Sequence, residues 1–116
     1  MIVLHTNVNL ISKKNNYLIK GRKLFKSPAV LLVEKLLHQE WKHLAPKLPL
    51  RNVSFSLTTN QKHCDLDSQT TLILDVLQEL NIIEDDTPVM VPIQYSVYDE
   101  YARCVEIVLI PLNTNN

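Results

Sequence analysis

Two pairs of carboxylates frame one apolar segment in the second half of the chain. Asp65 and Asp67 precede the segment, Asp85 and Asp86 follow it, and Asp75 lies inside it. Residues i and i+2 of an extended strand point to the same side, so Asp65 and Asp67 can face one ligand. Hard cations such as Mg²⁺ prefer such oxygen ligands, usually one or two carboxylates with waters and substrate phosphates. The pattern therefore raises the hypothesis of a cation site.

The same carboxylates have a second interpretation that needs no ligand. Asp65 and Asp67 would cap a helix and favour its dipole, and residues 84–86 would form a solvated turn. If the segment between the pairs is a straight helix, about 20 Å separates them. The later pair reaches the first only if the chain after the helix runs back along it or folds over it. The spacing alone leaves both interpretations open.

The elements that must position these residues follow from hydrophobic periodicity and turn residues. Residues 1–8 have the pattern of a strand, and Lys20-Gly21 predicts the turn of a short basic hairpin. Ser27-Pro28 is a typical helix start and Pro46 a stop, which predicts a helix over 28–45. Its apolar stripe contains Val30, Val33, Leu37, Trp41 and Leu44, with Leu36 alongside. We interpret Trp41 as a core residue rather than a base-stacking one.

In the second half of the chain, apolar and polar residues first alternate, and apolar residues then recur at helical spacing. NVSFSLTT over 52–59 predicts a half-buried strand, and a second helix follows with Asp67 or Ser68 as its cap. VMVPIQYSV and ARCVEIVLI predict two further strands, joined as an antiparallel hairpin, with Pro92 inside the first of them favouring an edge position or a bulge. Together these elements predict a single domain over residues 1–116, of the α/β (α+β) class, in which two helices cover a mixed sheet.

Composition narrows the class of protein. The hydrophobic fraction of 46% and charged fraction of 21% are those of a globular chain. No apolar run approaches the roughly 18 residues of a membrane span, and the first residues lack the pattern of a signal peptide, so we expect no membrane association and a cytoplasmic protein. Cys64 and Cys104 are then expected to stay thiols, and without a CxxC pair a zinc site is not favoured.

A net charge of zero conceals a strong asymmetry along the chain. Ten Lys or Arg and two acids occur through Arg51, a balance of +8, whereas two bases and ten acids follow, a balance of −8. Such asymmetry is typical of a basic surface for a polyanion beside an acidic centre. It is equally consistent with two halves that neutralise each other across one fold.

The acidic segment resembles a known family. The stretch D-L-D-S…L-I-L-D-V-L…I-I-E-D-D-T-P-V, from Asp65 to Val89, is similar to the RusA family of Holliday junction resolvases, and N-N-Y…G-R…S-P before the first helix resembles the family more weakly. The resemblance covers most of the chain and implies a RusA-like fold. It also implies a homodimeric endodeoxyribonuclease of recombination and repair, dependent on Mg²⁺ or Mn²⁺, that nicks four-way DNA junctions symmetrically.

Roles follow from this resemblance residue by residue. It implies that Asp65, Asp67 and Asp86 are metal ligands and catalytic residues, that Asp75 supports them, and that Asp85 is a supporting or solvated residue. A metal held by carboxylates activates water and stabilises charge on the scissile phosphate. The basic first half would hold the DNA backbone in a salt-sensitive way. The expected DNA contacts are Lys13, Lys14, Lys20, Arg22, Lys23 and Lys26.

The chain departs from the family pattern beside the first acidic pair. Ser68 stands where the family has asparagine, and Thr71 stands where it commonly has a lysine that assists cleavage. A threonine donates a hydrogen bond but carries no charge. Lys62 is our candidate substitute, and a lysine from the first half or from the partner chain is another. His63 is either a phosphate contact or general base, or a solvated loop residue.

These departures leave two rival hypotheses. One is a catalytically weak or silent module that binds DNA junctions on the same fold. The other is a regulator whose acidic residues bind no cation. A metal-dependent cut in a four-way junction separates the nuclease from both.

Overall fold

In this computed structural model, buried and half-buried residues alternate along the two inner strands of the central sheet. The structure describes residues 1–13, 17–21 and 23–112, with the backbone alone for 17–20 and 23–25. In β4 (Val53–Thr59) the side chains of Val53, Phe55 and Leu57 are fully buried, as the alternation predicts. β4 lies inside a four-stranded mixed sheet of order β1-β6-β4-β5. The other strands are β1 (Ile2–Thr6), β5 (Ile93–Tyr98) and β6 (Val105–Pro111).

The predicted antiparallel hairpin of the last two strands is wrong. β5 pairs parallel with β4, whereas β6 lies on the other side of β4 and pairs antiparallel with β4 and with β1. Neighbouring strands are about 4.8 Å apart, so residues 99–104 need to span only about 10 Å to cross the end of β4. The Asn60 side-chain amide fastens this crossing by donating to the Ala102 carbonyl at 3.0 Å. The edge position of β5 is confirmed, but the predicted strand start is wrong, because β5 begins at Ile93 and Pro92 precedes it.

Helix α1 (Pro28–Trp41) begins where the sequence predicts. The Ser27 hydroxyl accepts a hydrogen bond from the Val30 N–H, and Pro28 occupies the first turn. Trp41 is 1% exposed, which confirms it as a core residue. A 3₁₀ turn, Lys42–Leu44, then changes the periodicity, so Leu44 leaves the apolar stripe and is exposed, contrary to prediction.

Helix α2 (Leu66–Glu79) carries the predicted apolar face. Its buried residues, with those of α1 and of β1, β4 and β6, form one core in a single α+β domain. The cap is Asp65, two or three residues before the predicted position. Asn81 follows the helix with a left-handed φ of 58°, a conformation that asparagine tolerates better than most residues.

A short hairpin stands apart from the main sheet. β2 (Tyr17–Lys20) and β3 (Lys23–Lys26) pair antiparallel, with Tyr17 opposite Lys26. Gly21 forms the predicted turn with a φ of 67°, the left-handed region that favours glycine. Among the described residues, no helix has the length and apolarity needed to cross a membrane.

Candidate functional site

The loop that joins β4 to α2 is held by two glutamines. Gln61 donates from its amide to the Val8 carbonyl at 2.8 Å and accepts from the Leu10 N–H at 2.7 Å. Gln69, which is fully buried in the second turn of α2, donates to the Gln61 and Cys64 carbonyls at 2.9 and 2.6 Å. The loop and the start of α2 are therefore fixed to each other and to the segment after β1.

This frame presents Asp65 and Asp67, which we call the open pair. Asp65 takes the N-cap position with extended backbone angles, yet its side chain makes no capping hydrogen bond. Both residues are exposed. The pKa of the neighbouring Cys64 thiol is raised, chiefly by burial and in second place by the negative charge of Asp65. The capping interpretation is therefore wrong for the Asp65 side chain, whose oxygens face solvent.

An open cleft of about 570 Å³ borders Asp65. Lys62 and His63 line it on one side, both exposed, and residues 10–12 form the other wall. The cleft thus combines a carboxylate, an ammonium group and an imidazole. Lys62, the predicted catalytic lysine, therefore lines the cleft beside Asp65 and not the cleft beside Asp67.

Asp67 borders a different and much smaller cleft, of about 30 Å³. It is lined by Ser12, Lys13, Asp67, Ser68 and Thr71. The Ser68 hydroxyl lies 3.3 Å from that of Ser12, which fixes the segment before the hairpin against the first turn of α2. Asp67, Thr71 and Asp75 follow at four-residue spacing and share one face of the helix.

Further along that face lies a group of four charged residues that we call the inner network: Lys13, Lys26, Glu34 and Asp75. The Lys13 amine is 2.6 Å from Asp75 and 3.6 Å from Glu34, and the Lys26 amine is 2.9 Å from Glu34. The side chains of Lys13 and Glu34 are only 12% and 7% exposed. The network joins both helices to the two ends of the hairpin segment.

Asp86 lies near Asp75. Partial burial raises the pKa of Asp86, and a hydrogen bond with Asp85 and the charges of Asp75 and Asp85 raise it further, while a backbone hydrogen bond acts in the opposite direction. The Asp85 carboxylate accepts the Asp86 N–H at 2.8 Å. The charge of Asp75 therefore acts on Asp86, and eight residues, about 12 Å of helix, separate Asp75 from Asp67.

The predicted ligand set is accordingly divided. Asp65 precedes α2 and Asp67 lies in its first turn, so the extended segment predicted to turn both side chains to one side is not formed, and the two residues line separate clefts. The charges that act on Asp86 are those of Asp75 and Asp85. Within the described part of the chain, no group of three or more His, Cys, Asp or Glu side chains is placed to hold a metal ion. The three-carboxylate set of Asp65, Asp67 and Asp86 is not assembled in this chain.

The predicted DNA contacts have different outcomes. Lys13 and Lys26 hold carboxylates of the inner network. The backbone of Lys20 and Lys23 lies in the hairpin strands, and their side chains are outside the described part. Lys14 and Arg22 lie outside the described residues altogether.

Sequence reasoning missed two residues that shape the site. Glu34 entered the sequence analysis only as one of the two acids through Arg51. It lies between Val33 and Leu37 on the buried stripe of α1, where a carboxylate needs a partner. Gln69 gave no signal beyond its place in the first turns of a helix, because its role depends on a loop that the sequence does not place.

Comparison with known proteins gives no family for this chain. No model of a known protein family matches it, and a search of curated proteins finds no similar sequence.

Proposed function

We propose that this chain is a metal-dependent endodeoxyribonuclease of the RusA type, acting as a homodimer on four-way DNA junctions. The observation that carries the proposal is the open pair. An aspartate in the N-cap position normally binds a backbone N–H, and Asp65 does not. Two exposed carboxylates two residues apart, held by a rigid loop, have the donor chemistry of a Mg²⁺ or Mn²⁺ site.

The residues present fit a site of two carboxylates rather than three. Mg²⁺ is commonly held by one or two carboxylates and completes its shell with waters and substrate phosphates. When bound, the ion would supply an activated water and neutralise charge on the scissile phosphate. Asp65 and Asp67 would hold and orient it, Lys62 would attract the DNA backbone, and His63 is placed in the same cleft to accept a proton.

The hairpin region supports DNA as the substrate, whereas Lys13 and Arg51 of the basic half pair with Asp75 and Glu84 of the acidic half. The ten basic residues through Arg51 contribute to a balance of +8, and several of them lie in or beside the hairpin. Backbone phosphates are bound by such residues with little dependence on sequence and with strong dependence on salt. The acidic pair would then act on DNA that the basic half holds.

A nicking assay tests this proposal. A labelled four-way junction and a linear duplex of the same sequences are incubated at low salt with Mg²⁺, Mn²⁺ or chelator. We expect paired, metal-dependent cuts in the junction, and a loss of at least about 100-fold for Asp67→Asn with junction binding retained. Glu84→Gln is the matched control, an exposed acid at the other end of α2 that pairs with Arg51. Full cleavage by Asp67→Asn would contradict the role of the open pair.

A second function is favoured by the divided carboxylates. If catalysis requires Asp86 beside the open pair, or a lysine at Thr71, the chain binds junctions without cutting them. If the chain only binds junctions, it shifts the junction in a gel at nanomolar to micromolar concentration, and the nicking assay finds the DNA intact with either metal.

A further inference from the structure

The main sheet has a face opposite to the one on which the helices pack, and we call it the outer face. The buried side chains of β1, β4 and β6 form the core with those of α1 and α2. Because successive side chains of a strand alternate between the two faces, the residues between those buried ones belong to the outer face. The strand registers place one residue of each strand in a single row across it: Val3, Val108, Ser56 and Tyr95.

The outer face is apolar, whereas a sheet face in contact with water normally carries polar side chains. Tyr95 is 62% exposed, Ile93 49% and Ile110 46%. Between the apolar residues of the outer strands, β4 contributes only short hydroxyl side chains, so the middle of the face is low. The apolar residues of the face are Val3, Ile93, Tyr95, Val97, Val108 and Ile110. An exposed apolar surface of this extent is typical of a protein interaction site.

The charges of the outer face favour a protein partner over a nucleic acid. The strands of the main sheet, all of them described, contain no Lys or Arg, so the face offers no cation to a phosphate backbone. Its two charged side chains, His5 and Glu106, have opposite signs and lie 3.0 Å apart. A face without an excess of either sign can meet a copy of itself without repulsion, as an interface about a two-fold axis requires.

A second copy also matches the outer face in shape and size. All sheets twist with the same hand, so two copies of one sheet pack face to face with their strands within about 30° of each other. Four strands about 4.8 Å apart and about 20 Å long form a face of about 400 Å² in projection. With the relief of the side chains, two copies bury on the order of 1,000 Å², the lower limit for a specific interface. The open pair stays accessible, because α2 packs on the opposite face.

We propose that the outer face is the interface of a homodimer in which two sheets pack face to face about a two-fold axis. The proposal rests on the homodimer of the proposed function and assigns it a surface. Tyr95 has the largest exposed fraction among the apolar residues of the face, and it is the expected anchor of the interface. Because the area is at the lower limit, we expect a dissociation constant in the micromolar range. A two-fold contact uses the face once in each copy, so association ends at the dimer.

Sedimentation velocity without DNA or metal tests the interface, at protein concentrations from about 1 to 300 µM that bracket a micromolar dissociation constant. We expect the wild type to pass from monomer to dimer and no further. Tyr95→Lys should raise the dissociation constant at least about tenfold, because the dimer would bury an ammonium group without a partner. Tyr101→Lys is the matched control, the same substitution at an 86% exposed tyrosine between β5 and β6, and it should dimerise like the wild type.

A second variant and a second measurement locate the surface. Ile93→Lys changes a neighbouring residue of the same face, and the unfolding midpoint of each variant shows that it is folded. In ¹⁵N-labelled wild type, the amide signals that shift between the lowest and highest concentrations should be those of the outer face, and those of residues 63–68 should stay unchanged.

Three results overturn the proposal: a wild type that is monomeric throughout, a dimer that both lysine variants leave intact, and association that continues past the dimer. The nicking assay remains independent of this outcome. A monomer that cuts junctions keeps the nuclease and removes the interface, whereas a dimer that Tyr95→Lys dissociates and that cuts no DNA keeps the interface and removes the nuclease.

Discussion

The face of α2 carries aspartates in two contrasting environments. The open pair is exposed and has no described cation bonded to it, whereas Asp75, two turns further on than Asp67, is bonded to the Lys13 amine and partly buried. The residue type is the same, so the difference comes from the neighbouring segments. A carboxylate that is paired inside the fold contributes to stability, and one that is held rigidly without a partner is available for a ligand.

The largest effect on stability should come from the most buried member of the inner network. Glu34 is 5% exposed, accepts hydrogen bonds from the Lys26 amine at 2.9 and 3.1 Å and lies 3.6 Å from the Lys13 amine, so Glu34→Gln removes the charge that both amines face. Removing one partner of a buried ion pair lowers the free energy of unfolding by about 3 kcal/mol at the lower end of the known range. We expect the lower end here because the Lys26 side chain is a third exposed. Urea unfolding measures it.

Glu84→Gln provides the comparison in the same experiment. It removes an ion pair whose side chains are 67% and 45% exposed, which is worth less than about 1 kcal/mol. Equal losses for the two variants would show that the inner network is no better shielded from water than a surface pair.

A smaller effect, of opposite sign, is expected at Asp86. Its pKa is raised in the folded protein by burial, by Asp85 and by the charge of Asp75, so ionisation of Asp86 opposes folding. The folded state binds more protons than the unfolded state between the ordinary and the raised pKa, and stability falls as the pH rises through that window. Asp86→Asn should therefore unfold at slightly higher denaturant than the wild type at pH 7.

The pH dependence is the control for this variant. The stability gain from Asp86→Asn should disappear at a pH below the ordinary pKa of aspartate, where the wild-type carboxyl is protonated in both states. A variant that is less stable than the wild type at pH 7 would mean that the Asp86 charge has a stabilising partner.

The smallest effect is expected at the open pair itself. Because the Asp65 side chain makes no capping bond, Asp65→Ala should change the free energy of unfolding by less than about 0.5 kcal/mol. Ser27→Ala is the matched variant, since the Ser27 hydroxyl does cap α1 and its loss costs about 1 kcal/mol. A loss at Asp65 as large as that at Ser27 would restore the capping interpretation.

The elements were more predictable than their arrangement. Local signals sufficed for α1, whose start depends on Ser27 and Pro28, for the Gly21 turn and for the alternating β4. The pairing of β5 with β4 depends on a crossover helix and on residues far apart in the chain, and periodicity carries no information about it.

The site shows the same division. Asp65 and Asp67 are two residues apart, and their place at the start of α2 was predicted, but the prediction of one extended segment was wrong because α2 begins at Leu66. The position of Asp86 depends on the path of the turn after α2, and that of Lys13 depends on where the segment after β1 crosses the helix. Neither could be derived from spacing, because both result from tertiary packing.

The most direct test of the central claim is the position of a bound cation. Mn²⁺ broadens the NMR signals of amides close to it, so substoichiometric Mn²⁺ added to ¹⁵N-labelled protein locates the site without requiring cleavage. We predict that the strongest broadening centres on residues 63–68, is weaker at residues 84–87, and is lost in Asp65→Asn/Asp67→Asn. Broadening centred on Asp75 and Asp86, or broadening that survives the double substitution, would contradict the account.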